Sequence, residues 1–442
     1  VVNVLILAYD FPPYVSVGGL RPHSWLKYFN EFEVYPIVVT RQWNNAYKNG
    51  LDYVAPGFSD NTVTEKNDKG TTIRTPYAPN LSNRLLLRYG NNRFRILRKL
   101  ISAFYEFAQY VLFIGPKVAL YNEARNYMKE NKVDCIIATG DPYILFRYAS
   151  ALSSEFNIPW IADYRDPWSQ DNKVQKNHAL RMWNSFLEKR IVKHAKVITT
   201  VSSFFEKKIS SLLPDKSFQI IPNGYDPEAI SSAINEPQTN AGLNIAFVGT
   251  ILKWHPLEVV LQSIADFKSH NPKAKLVVNF YGINIEDELR TMLQTQFSGI
   301  QDSILIHPKM DNAYLLKELA KNNLMLLFNY YSYMGTKIYD YIGIRRKILL
   351  CFENDSKANA LKANYYNLED MSLNAPQLQT ELIQETNSGI VVKDGSHLTM
   401  LLKELYEEFS TAGSIKCESV NTEKYSRKIQ VQQLANVIKG II

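Results

Sequence analysis

Short β-branched runs alternate with longer stretches in which apolar residues return every three or four positions, and this alternation continues almost from end to end of the chain. Period-two or continuous apolar runs predict strands, and the longer period predicts amphipathic helices; their alternation predicts parallel α/β units. The first half supplies the strand candidates VVNVLILAY, VYPIVVT, TTIRT, DCIIATG, PWIAD, KVITTVS and FQIIPNG. A second series runs LNIAFVG, KLVVNFYG, ILIHP, LMLLF, KILLCF and GIVV. Each half predicts its own doubly wound sheet, so the fold class is α/β with two Rossmann-like domains. Between Ile230 and Gly242 small and polar residues replace the apolar pattern, which sets the expected boundary there: residues 1–235, then 236–422. The remaining segment, residues 423–442, has helical spacing and is expected to pack back across the domains.

Length supports this division, because 442 residues exceed what one hydrophobic core usually serves. The net charge of +7 suits anionic small molecules or an anionic membrane surface, and the absence of a basic tail argues against nucleic acid as partner. Cys135, Cys351 and Cys417 are odd in number and far apart, which speaks against a disulfide framework or a zinc site and for a reducing, cytoplasmic setting. No apolar stretch is long enough to span a bilayer, and the first residues read as a strand rather than a signal peptide; a soluble chain is expected. One region stands apart. From Leu81 to Tyr105 the chain carries Arg84, Arg88, Arg93, Arg95, Arg98 and Lys99 with no acidic residue, interleaved with Leu, Ile, Tyr and Phe. This is the composition of a helix that lies on an anionic membrane surface, and equally of two ordinary helices with a solvated face.

Candidate chemistry gathers at strand ends, where ligands bind in open parallel sheets. In IPWIADYRDPWS, Ile158 to Ser169, an apolar run closes on Asp163, Arg165 and Asp166, sealed by Pro167 and Trp168. These charges read either as a polar cleft or as a structural Asp–Arg pair with Trp168 plugging the core. After the first strand, YDFPPYVSVGGLRPH opens a helix at Gly18 and Gly19, a place where backbone amides can approach phosphate; Arg21 and His23 follow one turn later. FVGTILKWHP repeats this design with Gly249, Thr250, Lys253 and His255, whose cations suit a diphosphate or simply a solvated loop. In NYYSYMGTKIYDYIG, a helix starting near Gly335 would offer amides, Thr336 and Lys337 to phosphate oxygens, with Asp340 one turn on to accept sugar hydroxyls. An ordinary Lys–Asp helix pair explains the same residues. IIPNGYDP reads as a tight structural turn. There is no Walker loop, no Asp-x-Asp pair, no His/Cys metal grouping and no serine or cysteine nucleophile motif.

Taken in order, the FPP…GG loop, DCIIATGDP, IPWIADYRDPW, ITTVS before IPNGYDP, FVGT, GTKIYDYIG and the closing KYSRKIQ helix resemble the glycosyltransferases of GT-B fold, most closely family 4 and its relatives in bacterial surface polysaccharide synthesis. The resemblance implies two Rossmann-like domains facing an interdomain cleft, the C-terminal one gripping a nucleotide sugar and the N-terminal one presenting the acceptor. It implies that Gly18 and Gly19 face the donor diphosphate and that Asp163, Arg165 and Asp166 line the reaction centre. It further implies that Lys253 or His255, with Lys337, stabilise the departing diphosphate without a metal, and that Asp340 binds the ribose. Two positions depart from the family's pattern: Ser332 stands where the first acid of its Glu-x7-Glu pair falls, and Thr250 where an Arg follows Val-Gly.

The expected activity is therefore metal-independent, retaining transfer of a hexose or related sugar from a nucleotide-diphosphate donor to a glycan, with a lipid-linked glycan as one form of acceptor. No cofactor is expected. The setting expected is the cytoplasm, with peripheral contact at the inner face of an anionic membrane as one of the two readings of the basic segment Arg84 to Lys99. A nucleotide-sugar epimerase on the same fold and a non-catalytic glycan-assembly partner are the rival readings.

Overall fold

The computed structural model of the chain describes residues 1–44, 50–170, 178–353, 355–363 and 377–442. Contacts divide it into two compact units, Val1–Pro222 with Lys428–Ile442, and Asn223–Arg427.

The first unit holds strands β1 (Val2–Leu7), β2 (Val34–Arg41), β3 (Val63–Asn67), β4 (Gly70–Thr75), β5 (Cys135–Gly140), β6 (Trp160–Tyr164), β7 (Val197–Thr200) and β8 (Phe218–Ile220). They form one sheet in the order β3-β4-β2-β1-β5-β6-β7-β8. All neighbours are parallel except the edge pair β3–β4. Its helices are α1 (Val17–Tyr28), α2 (Leu81–Tyr89), α3 (Arg95–Leu112), α4 (Val118–Glu130), α5 (Ile144–Phe156), α6 (His178–Val192) and α7 (Ser203–Ser210). The interior strands are buried on both faces, which is why they read as nearly continuous Val/Ile/Leu runs. The strand that the apolar pattern does not announce is β3: VTEKN is mostly exposed and lies antiparallel at the edge, so only its pairing with β4 defines it.

The second unit holds β9 (Leu243–Val248), β10 (Leu276–Tyr281), β11 (Ile304–His307), β12 (Leu324–Phe328), β13 (Lys347–Cys351) and β14 (Gly389–Val392). Its helices are α8 (Pro227–Ser231), α9 (Leu257–His270), α10 (Glu286–Thr295), α11 (Asn312–Lys321), α12 (Lys337–Ile344), α13 (Ser356–Ala363), α14 (Leu378–Thr386) and α15 (Gly395–Ala412). The sheet is wholly parallel, in the order β11-β10-β9-β12-β13-β14. Counted within the unit this is the doubly wound order 3-2-1-4-5-6, whose direction reverses between β9 and β12. In the first unit the reversal falls between β1 and β5. Crevices at such reversals are where ligands bind.

The division between units lies at Pro222, ahead of the boundary expected at residue 235. The stretch from Ile230 looked like a linker because it is small and polar, yet Ile230 and Ala233 are buried in the second unit's core beside α12. The closing helix α16 (Arg427–Lys439) belongs from Lys428 onward to the first unit, where Val431, Leu434, Ala435 and Ile438 pack against β1 residues Val4 and Ile6. Among the described residues no helix is long and apolar enough to cross a membrane.

Candidate functional site

In the first unit, the register of the sheet explains the DYRDPW motif. Thr139 of β5, Asp163 of β6 and Thr199 of β7 stand abreast in parallel pairing, so their side chains point to one face. Both hydroxyls donate to the Asp163 carboxylate, Thr139 Oγ1 at 2.8 Å and Thr199 Oγ1 at 2.7 Å. From α1, Arg21 lies across it, with Nη2 2.8 Å from Oδ1 and Nε 3.1 and 3.2 Å from the two oxygens. Arg21 Nη1 donates on to the Ile221 carbonyl at 2.9 Å. Asp163 is fully buried and each of its oxygens is already bonded, so this residue, expected at the reaction centre, instead locks α1 to the sheet.

The other two charges of the motif behave differently. Arg165 turns back over the end of β5: Nε donates to the Gly140 carbonyl at 2.8 Å and Nη2 to that of Asp141. Its guanidinium also lies over the start of α1, where a Cβ added at Gly18 would sit 1.7 Å from Nη1. A side chain at Gly18 would have to displace that guanidinium. At Gly19 a Cβ would meet the Asp10 and Phe11 backbone at 3.4 Å. Asp166 is exposed, with its carbonyl accepting from the Tyr143 hydroxyl at 2.8 Å. Trp168 is buried and stacks on Tyr143 and Tyr110, as the plug reading expects. Behind it the buried Glu188 of α6 accepts from Tyr164 Oη, the Ser169 amide and Gln170 Nε2, which fixes the loop carrying Asp166.

Sequence reasoning passed over Asp10. It follows β1 directly, and its Oδ2 accepts from Ser16 Oγ at 2.9 Å while Ser16 Oγ caps α1 by accepting from the Gly19 amide at 3.0 Å. Its other oxygen is buried with no hydrogen-bond partner among the described residues. Burial raises the carboxyl above the ordinary aspartate range, opposed by the Ser16 bond and the Arg165 charge and reinforced by Asp141. The same neighbourhood lowers Lys117, chiefly by burial, against the pull of Glu106 and Asp141. Asp10, Asp141, Arg165 and the start of α1 therefore form one polar corner at the first unit's strand reversal. The signal for Asp10 and Asp141 is the one that singled out Arg165 and Asp166, a charge directly beyond a buried strand. His23 of α1 packs edge-on against Phe11.

In the second unit, β9 ends at Val248 and the chain turns at Gly249 with φ of 113°, a conformation that favours glycine. The Val248 amide donates to the Tyr341 hydroxyl of α12 at 3.0 Å, tying the start of the FVGT loop to the GTKIYDYIG helix. Gly249 and Thr250 follow β9, and the Gly335–Asp340 segment follows β12, the two strands between which the order reverses. Thr250 is exposed. Helix α12 begins at Lys337 with no side-chain cap from Thr336, whose backbone carbonyl accepts the Tyr339 amide at 3.2 Å. Lys337 Nζ lies 3.4 Å from Asp340 Oδ2, so the expected intrahelical pair forms, with the lysine about one third exposed. Ser332, in place of an acid, is fully buried, and its hydroxyl has no hydrogen-bond partner among the described residues. Gln379, which sequence reasoning also passed over, is buried behind this loop: its Oε1 accepts the Tyr330 amide at 2.6 Å, and a Cβ at Gly335 would lie 3.8 Å from its Nε2.

The two remaining candidates part company. Lys253 is exposed, whereas His255 is buried with Nδ1 accepting the Leu252 amide at 3.1 Å and its ring against Phe328. That bond leaves the proton of a neutral imidazole on Nε2, as a donor. Both line a hollow of about 320 Å³ with Trp254, Glu258, Glu288 and Lys357. Among the described residues no group of three or more His, Cys, Asp or Glu is arranged to hold a metal ion.

Two doubly wound sheets, the second wholly parallel and the first parallel but for its β3–β4 edge, define the class. Over its whole length the chain has the fold of the GT-B glycosyltransferases. Within that class residues 51–229 match Glycosyltransferase Family 4. Sucrose-phosphate synthase from Thermosynechococcus elongatus superposes with a TM-score of 0.54 at 13% identity, covering 99% of this chain and 98% of that one. An α,α-trehalose-phosphate synthase (UDP-forming) from Burkholderia xenovorans in complex with glucose-6-phosphate gives 0.55 at 10% identity, covering 99% and 100%. Anabaena Alr3699/HepE in complex with UDP gives 0.52 at 10% identity, again covering 99% and 100%. At these identities the likeness is one of fold. No curated protein sequence matches the chain.

Proposed function

We propose that this chain is a retaining glycosyltransferase that moves a hexose or related sugar from a nucleotide-diphosphate donor to a glycan or lipid-linked glycan acceptor in surface polysaccharide synthesis, working on the cytoplasmic side. The observation that carries the reading is the Val248–Tyr341 bond, which ties the FVGT loop to the helix of the GTKIYDYIG segment where the strand order of the second unit reverses. Amides at the start of α12 and the Lys337 ammonium suit the diphosphate, and Asp340 suits the ribose hydroxyls. Lys253 and the Nε2–H of His255 are further donors on the same unit. Glycosyl transfer passes through an oxocarbenium-like state while negative charge grows on the departing phosphate, so fixed cations aimed at that phosphate lower the barrier and take the part a metal would otherwise play. In the first unit Arg165, Asp166 and Asp10 serve the acceptor and the reacting sugar, Gly18 leaves room for the Arg165 guanidinium, and Asp163 acts through Arg21 as a positioning residue.

The test is turnover by purified protein across a panel of nucleotide sugars, with the anomeric configuration of the product read by NMR. Absence of turnover, of donor hydrolysis and of any thermal shift with every nucleotide rejects the reading. Isomer formation without an acceptor replaces it with epimerisation, and an inverted product rejects retention. Lys337→Ala should lower kcat by about 10² to 10³, the usual cost of one donor aimed at developing charge. An unchanged kcat and donor affinity would remove Lys337 from the site.

A further inference from the structure

Helix α3 presents an apolar stripe to water. Residues Ile96, Leu100, Phe104, Phe107 and Val111 recur at intervals of three or four and so share one stripe, and that stripe points outward: Ile96 is 77% exposed, Leu100 65%, Phe104 58% and Val111 63%. At 1.5 Å per residue the helix is about 27 Å long, so the stripe is continuous over a large part of the unit's face. Polar contacts tie the helix to α2. Ser82 of α2 donates to the Arg98 carbonyl at 3.1 Å and meets Ser102 Oγ at 2.9 Å, while the Arg98 guanidinium closes the α2–α3 turn on the Gly90 and Asn91 carbonyls at 2.9 and 3.1 Å. These bonds hold the pair in place with its apolar side out. The patch continues onto α6, where Trp183 stacks on Phe107 at 4.7 Å and Met182 and Phe186 are 62% and 51% exposed.

Charge decides what such a face accepts. Arg84, Arg88, Arg93, Arg95 and Lys99 are all exposed around the first half of the stripe, and the first acidic residue after Leu81 is Glu106. A second copy of the chain would bring the same cations to meet them. An anionic bilayer offers both complements at once, acyl chains for the stripe and phosphates for the cations.

We propose that the outward faces of α2, α3 and α6 form a docking surface for an anionic lipid bilayer, with α3 lying in the plane of the headgroups. The proposal stands apart from the transfer reaction, since it concerns a surface that none of the site residues occupies.

Vesicle flotation of the full chain tests it, with vesicles of phosphatidylcholine alone and of phosphatidylcholine with phosphatidylglycerol, at low and high salt. The expected result is at least about tenfold stronger binding to the anionic vesicles at low salt, largely lost at high salt. Leu100→Asp combined with Phe104→Asp, and separately Arg95→Glu with Lys99→Glu, should each reduce binding about tenfold or more, with thermal melts matching the parent protein. Should the aspartate pair fail to fold, the charge-reversed pair at exposed positions carries the test alone. No flotation with anionic vesicles, equal flotation with neutral ones, or binding unaffected by charge reversal overturns the proposal. So does a dimer in sedimentation equilibrium that Leu100→Asp/Phe104→Asp dissociates. Because flotation needs neither donor nor turnover, its failure leaves the transferase reading standing, and failure of turnover leaves this one standing.

Discussion

Asp163 and Asp166 share one motif, yet the pleat of β6 sends the first into the sheet and the second beyond its end. A carboxylate buried between Thr139, Thr199 and Arg21 is a structural brace, and removing it strands a buried guanidinium. Asp163→Ala should therefore cost about 3–5 kcal/mol of stability, the usual penalty for breaking one side of a buried pair, read as a shift in urea midpoint. A loss within the range of surface substitutions would show that the pair is not what holds α1 down. The sequence announced the cluster but could not divide it, because the inward or outward sense of one strand residue depends on register with its neighbours. Asp10 is the converse case: a single acid after a strand carries little weight until Ser16, Gly19 and Arg165 are seen around it. Its raised native pKa has a sign that can be checked. Between the ordinary aspartate range and that higher value the folded chain keeps a proton that the unfolded chain has released. Its contribution to stability is then full below about pH 4 and declines as pH rises through the native value. Asp10→Asn cannot ionise, so the stability of the parent relative to this variant should fall with rising pH from about 4 upward and then level off. A difference independent of pH would place the carboxyl in an ordinary environment.

At the scale of elements, the buried strands were the most legible part of the chain, because a strand covered on both faces must be apolar at every position. β3 was invisible for the same reason in reverse, being an exposed edge with polar side chains. What no local pattern could supply was strand order, and order is what places the GG loop of α1 beside the end of β5, and the FVGT loop beside the start of α12. The consequence is sharpest at Gly18. Its place in the first turn of α1 needs no unusual backbone angle, so alanine there should leave the helix as stable or improve it by up to about 1 kcal/mol. Yet the added methyl collides with Arg165, whose guanidinium is held by the Gly140 and Asp141 carbonyls. Gly18→Ala should thus keep its melting temperature while kcat/KM falls by about 10²-fold, the cost of misplacing a site group by an ångström. Parallel loss of stability and activity would mean that the glycine serves the fold rather than the arginine.

The two-unit architecture was readable from the doubled series of strands, but the division between the units was not, since a small, polar stretch marks a linker only if nothing packs on it. Ile230 and Ala233 show the difference: two apolar positions in an otherwise polar run suffice to bind it to the second core. The closing helix is the larger case. Its pattern of Val431, Leu434, Ala435 and Ile438 gives one apolar stripe, and the stripe alone does not say which core receives it. All four side chains are nearly inaccessible to solvent, packed into the first unit although the intervening second unit separates them from it in sequence. The surface pairs Lys428–Glu31 and Lys439–Glu33 accompany this packing and add little to it. Burying one valine, one leucine and one isoleucine is worth roughly 5–9 kcal/mol as an upper estimate, comparable with the whole stability of a typical domain. Removing Lys428–Ile442 should consequently unfold or severely weaken the first unit while the second, whose cores contain none of these residues, keeps its own transition. Hydrogen exchange on the truncated chain makes the distinction directly, with protection expected to vanish in β1, β2 and β5 and to persist in β9, β10 and β12. Loss of protection in both units together would mean that they fold as one cooperative body, and an unaltered pattern in β1 would mean that α16 contributes nothing to the core it enters.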